Sequence, residues 1–100
     1  MSITEINDKN LEKTIQSNEK VVLDCYAPWC GPCKMFSSVF DELAKEEGSI
    51  KFCKINTDEN PDVSERFNVM SIPTVLFFEN GELKRRETGV KTKEELRRLL

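Results

Sequence analysis

Trp29-Cys30-Gly31-Pro32-Cys33-Lys34 sets two cysteines three positions apart with a turn-forming Gly-Pro pair between them. Upstream, Val21-Val22-Leu23-Asp24-Cys25-Tyr26 is an apolar, β-favouring run, and downstream the residues take up a helical period. The two cysteines therefore stand where a strand turns into a helix. The first turn of a helix has unpaired backbone N–H groups and the positive end of the macrodipole, so a thiol placed there is stabilised as its thiolate. Cys30, at the start, is the expected reactive thiol. Cys33 lies one helical turn further on, close enough to close a disulfide, so the pair can cycle between dithiol and disulfide. Pro32 needs no N–H at a helix opening, and Gly31 allows the tight backbone that brings the sulfurs together.

Working outward, Val21 to Ala27 is apolar at nearly every position, which predicts a central strand covered on both faces and makes Asp24 the anomaly. From Cys33 onward, Phe36, Val39, Phe40, Leu43 and Ala44 recur at helical spacing, with Gly48 as the expected C′ stop. Towards the N-terminus, Ser2 to Ile6 reads as a short first strand. Asn7 is the expected N-cap of a helix over Asp8 to Ser17 that buries Leu11 and Ile15. Towards the C-terminus, Ile50 to Asn56 reads as a strand, Thr57 to Pro61 as a turn, and Val63 and Phe67 mark a short helix. Thr74 to Phe78 and Leu83 to Thr88 flank an Asn80-Gly81 turn, the signature of an antiparallel hairpin. Thr92-Lys93-Glu94-Glu95 is a capping box opening a last helix with Leu96, Leu99 and Leu100 inward. The order predicts an α/β sandwich whose mixed sheet is parallel at its core, with an antiparallel hairpin at one side and helices on both faces.

Composition narrows the chemistry. With 100 residues, 38% of them apolar, a single domain over residues 1–100 is expected. Its 15 basic residues are scattered among 18 acidic ones for a net charge of −3, which argues against a nucleic-acid surface. Acidic residues in the first fifteen positions and the lack of a long apolar run predict neither a secretory signal nor a membrane span, hence a cytoplasmic protein. In that compartment a Cys-x-x-Cys beside a βαβ pattern points to redox or metal chemistry. The chain has no histidine, which excludes a Cys-His catalytic pair and a Cys/His zinc finger.

The blocks Val-Val-Leu-Asp, Trp29 to Lys34, Lys54 to Pro61, Ile72-Pro73-Thr74, Phe77 to Gly81 and Gly89 together resemble the thioredoxin family, and the likeness covers essentially the whole chain. The resemblance implies the thioredoxin fold, a central mixed sheet of about five strands flanked on both faces by about four helices. It implies a protein-disulfide reductase in which Cys30 attacks a client disulfide and Cys33 resolves the mixed disulfide, with Cys30-Cys33 as the redox disulfide. No cofactor is bound in that scheme; electrons come from NADPH through a flavin-containing thioredoxin reductase. The expected partners are that reductase and disulfide-containing proteins, with the chain as a monomer that binds neither nucleic acid, membrane nor metal.

Family likeness also assigns supporting roles. Asp24, whose proton affinity burial should raise, becomes the base that helps deprotonate Cys33. Lys54 modulates Asp24 across neighbouring strands, and Pro73 matches a cis-proline facing the disulfide. Trp29, Ser71, Ile72, Pro73 and Gly89 form the lip that receives an extended substrate strand. Three departures stand out: Ser38 where many members have a kinking proline, Tyr26 in place of a tryptophan, and a short last helix. Cys25 and Cys53 read as buried small hydrophobes on adjacent strands. The spacing Cys25-x4-Cys30-x2-Cys33 formally matches a [2Fe–2S] pattern, but a residue inside an apolar strand cannot wrap a cluster. Two other functions remain open on the same fold, a disulfide isomerase or oxidase and a redox-inert binding module.

Overall fold

The β-favouring run upstream of the cysteines forms the middle strand of a five-stranded sheet in a computed structural model that describes residues 3–100. In chain order the elements are β1 (Ile3–Ile6), α1 (Leu11–Ser17), β2 (Lys20–Tyr26), α2 (Gly31–Glu46), β3 (Lys51–Asn56), α3 (Pro61–Arg66), β4 (Thr74–Glu79), β5 (Glu82–Thr88) and α4 (Lys93–Arg98). The strands lie in the order β1-β3-β2-β4-β5. β1, β3 and β2 run parallel, whereas β4 is antiparallel to β2 and β5 to β4. This is the mixed sheet expected from the element order. Ser2, the first residue of the expected opening strand, lies outside the described residues.

Alternation along β2 sorts the core into two layers. Val21, Leu23 and Cys25 pack with Leu11 and Ile15 of α1 and Val63 of α3, while Val22 packs with Phe36, Phe40 and Leu43 of α2 and Leu96 of α4. Asp24 is on the α2 side, between Val22 and Tyr26. Phe40 links α2 to the sheet through an edge-on contact with Phe52, ring centroids 5.2 Å apart. Despite Ser38, α2 is helical without a break, and Leu99 and Leu100 pack partly buried against its layer.

Two helix ends differ from expectation. α1 begins at Leu11, not Asp8, because Asn7 Oδ1 accepts the N–H groups of Lys9 and Asn10 and so closes a turn ahead of the helix. Asp8 meanwhile accepts the Asp62 N–H in the first turn of α3 at 3.1 Å. At the other end of α2, Gly48 follows the C-cap Glu47 without adopting the left-handed backbone of a glycine stop. The capping box of α4 is present in both directions, Glu95 N–H to Thr92 Oγ1 at 3.1 Å and Thr92 N–H to Glu95 Oε1 at 2.9 Å.

The β4–β5 hairpin turns on Asn80 and Gly81, both with positive φ (51° and 84°), as a two-residue turn of matching twist demands. A Cβ on Gly81 would meet only the amide end of the Gln16 side chain, which can swing aside, so the backbone conformation sets the cost of replacing it. Gly81→Ala is expected to lower stability by about 1–2 kcal/mol in urea unfolding. Gly48→Ala, in open space and free of the left-handed constraint, is expected to be neutral or to stabilise by about 0.5 kcal/mol. Equal effects at the two sites would contradict this account of the hairpin.

Candidate active site

β2 delivers the chain to the helix start through the short segment Ala27 to Cys30, closed by the Cys30 N–H donating to Ala27 O at 3.2 Å. Cys30 is the N-cap of α2, with extended backbone (φ −86°, ψ 110°), and its Sγ accepts the Cys33 N–H at 3.1 Å. The N–H that helix geometry leaves without a partner is thus aimed at the sulfur that would carry a thiolate. Cys30 and Cys33 are joined in a disulfide with Cα atoms 5.2 Å apart.

Exposure does not distinguish the two cysteines. The two residues are almost equally buried, at 4% and 3% exposure, because the segment ending in Ile72 covers Cys30. Their difference lies in the space each one borders. Cys30 lines a groove of about 550 Å³ with Trp29, Gly31 and Pro32 on one wall and Val69, Met70, Ser71 and Ile72 on the other. Cys33 lines a separate cavity of about 210 Å³ shared with Asp24, Tyr26, Lys34, Ser37 and Lys54. One disulfide therefore separates two compartments.

Trp29 is 70% exposed and its indole N–H donates to Asp58 Oδ2 at 2.7 Å, which holds the ring at the groove edge. The Ile72–Pro73 peptide is cis. Pro73 O accepts the Gly89 N–H at 2.8 Å, and Gly89 has φ +95°. Pro73 and Gly89 are thereby joined to each other but do not line the groove, unlike Trp29, Ser71 and Ile72.

Asp24 is buried on the central strand with Oδ1 lacking a hydrogen-bond partner among the described residues. Burial pushes its carboxyl up to about 7, against a smaller downward pull from Lys54 and upward pushes from Glu5 and Asp41. Lys54 is its register partner on β3, with Nζ 5.5 Å from the centroid of the Tyr26 ring. Cys25 and Cys53 are buried free thiols on the opposite face; burial raises both, Cys53 to about 12, so neither is a nucleophile near neutrality.

Several lining residues were not singled out from the chain alone. Thr57 stands in the turn after β3, Ser64 on α3, and Val69 and Met70 in the loop that follows it, where no motif marks a lining residue. Tyr26 was noted only as a replacement, yet it walls the Asp24 cavity.

A parallel-core sheet that feeds a disulfide to a helix N-terminus, beside a buried carboxylate, defines a dithiol–disulfide exchange site. The model of the thioredoxin family matches residues 2–100. The chain is 46% identical over 96 residues to the M-type chloroplastic thioredoxin of Spinacia oleracea, covering 94% of this chain and 53% of that protein. It therefore spans about half the length of that chloroplast relative. It is 43% identical to the thioredoxin of Staphylococcus haemolyticus, covering 100% of this chain and 96% of that one. The solved structure of Plasmodium falciparum thioredoxin superposes with a TM-score of 0.90 at 30% identity, covering 96% of this chain and 94% of that chain. The chain belongs to the thioredoxin family.

The raised Asp24 carboxyl makes stability depend on pH. Folded, it keeps its proton to about pH 7, whereas the unfolded chain releases it near 3.8. Between those values the folded state binds more protons at Asp24, so the contribution of this group to stability falls as pH rises, by at most about 4 kcal/mol. Asp24→Asn removes that loss. Its stability advantage in urea unfolding is expected to grow from about pH 4 to about pH 7 and then level off; an advantage independent of pH would contradict the assignment.

Proposed function

We propose that the chain is a protein-disulfide reductase working by dithiol–disulfide exchange. The observation that carries this reading is the Cys30–Cys33 disulfide set between a client-sized groove and the Asp24 cavity. In the reduced protein, the Cys30 thiolate attacks one sulfur of a client disulfide. A Cys30–client bond forms, the client S–S bond breaks, and the departing client thiolate takes a proton. The Cys33 thiol then gives its proton to the Asp24 carboxylate, through the shared cavity, which has room for bridging water. The Cys33 thiolate attacks Cys30 Sγ, re-forming the internal disulfide and releasing the second client thiolate. Two electrons have passed to the client. The attacker needs a pKa near ambient pH, which the Cys33 N–H and the helix start favour.

A base titrating near 7 is matched to a proton that must be accepted and returned in each cycle. Lys54 holds that value down against burial. Trp29, Ser71 and Ile72 form the groove that takes an extended client segment, while Pro73 and Gly89 brace its wall from behind. Electrons return from NADPH through a flavin-containing thioredoxin reductase, and no cofactor resides in the chain. The reading places the protein in the cytoplasm as a monomer serving electron transfer and redox homeostasis, where free thiols such as Cys25 and Cys53 persist. A plastid is the competing compartment, given the chloroplastic relative.

Turbidimetric insulin reduction with NADPH and a thioredoxin reductase tests the activity. Wild type is expected to exceed the dithiol background at least tenfold, Cys30→Ser to fall to background, and Cys33→Ser to accumulate a mixed disulfide. Asp24→Asn is expected to slow single-turnover resolution several-fold near pH 7. A wild type no faster than background would overturn the reading.

A further inference from the structure

Glu5, Lys54 and Asp24 lie in one row across three strands. Glu5 is the register partner of Lys54 between β1 and β3, and Lys54 is the register partner of Asp24 between β3 and β2. Register partners in a parallel sheet put their side chains on the same face, about 5 Å apart at the backbone. One lysine therefore stands between two acidic residues in the row. Among the described residues Lys54 forms an ion pair with neither; its Nζ rests over the Tyr26 ring. Glu5 is turned elsewhere, with both carboxylate oxygens accepting from the Tyr26 hydroxyl at 2.9 and 2.8 Å.

We infer that Tyr26 and Glu5 are positioning residues for the proton-transfer step: the phenol ties up Glu5, so Lys54 stays over the ring and beside Asp24 and is not drawn to β1. This rests on the role proposed for Asp24. The ring attracts the ammonium through its face while the hydroxyl removes the competing anion, two functions of one side chain. Other groups around Asp24 do not substitute for this arrangement. From α2 come Asp41, which pushes in the same direction as Glu5, and Lys34 and Cys33, which share the cavity; from β4 comes apolar Val75; on its own strand Cys25 faces the other layer. Glu59 acts on Tyr26.

The inference predicts opposite signs for two mild substitutions. Glu5→Gln deletes the competing charge and lowers the Asp24 pKa. Tyr26→Phe keeps the ring but releases Glu5 towards Lys54 and raises it. The measurement is a carbon-13 NMR titration of the Asp24 carboxyl in the oxidised full-length chain. Because Glu5 is exposed, each shift is expected to be about 0.2 to 0.7 pH units. Glu5→Gln combined with Tyr26→Phe should titrate like Glu5→Gln alone, and in a Lys54→Met background Tyr26→Phe should have no effect. Shifts of the same sign, no shift in Tyr26→Phe, or a Tyr26→Phe shift that survives Lys54→Met would overturn the inference. The titration needs no turnover, so it can fail while insulin reduction succeeds, and the reverse.

Discussion

A carboxylate buried in the middle strand of the sheet is the constraint around which this molecule is arranged. Desolvation of a charge is expensive unless the group is paired or neutralised, and among the described residues Asp24 has neither a hydrogen bond at Oδ1 nor a salt bridge. Its proton affinity rises instead, to about 7. The fold tolerates that cost because the same strand sets the register for its neighbours and feeds α2. Moving Asp24 outward would mean shifting β2 by one residue, which would turn Val21, Leu23 and Cys25 out of their layer. The carboxyl and the disulfide are thus held together by strand register more than by any direct bond.

The two cysteines acquire different roles from the same burial. Both are nearly inaccessible, yet Cys30 borders the groove and Cys33 the Asp24 cavity. Direction in the exchange comes from compartments, not from exposure. Among the described residues no charged side chain lines the groove around Cys30, and the chain has no histidine to place there. Thiolate stabilisation therefore rests on the helix start alone, which favours keeping the disulfide as the product state over releasing it as an oxidant would.

Most of this was legible in the chain where the signal is local. The apolar β2 run, the Asn80-Gly81 turn, the Thr92 capping box and the Cys-x-x-Cys at a strand end each follow from residues a few positions apart. The family likeness supplied Pro73 and Lys54, which no spacing could. What escaped depends on distant contacts. The bond from the Asp62 N–H to Asp8, the burial of Cys30 under the Ile72 segment, and the tie of the Gly89 N–H to Pro73 each join parts of the chain far apart in sequence. Tyr26 looked like a simple exchange of aromatics, because the Glu5 that uses its hydroxyl lies 21 positions away.

The central claim is that Cys30 and Cys33 donate electrons to client disulfides, and the equilibrium reduction potential of the pair tests it most directly. Equilibration of the full chain against glutathione buffers, read by alkylation of the freed thiols, gives that value. The account predicts a potential at or below the cytosolic glutathione poise, about −240 mV. A value near about −120 mV, where strong dithiol oxidants lie, would contradict it.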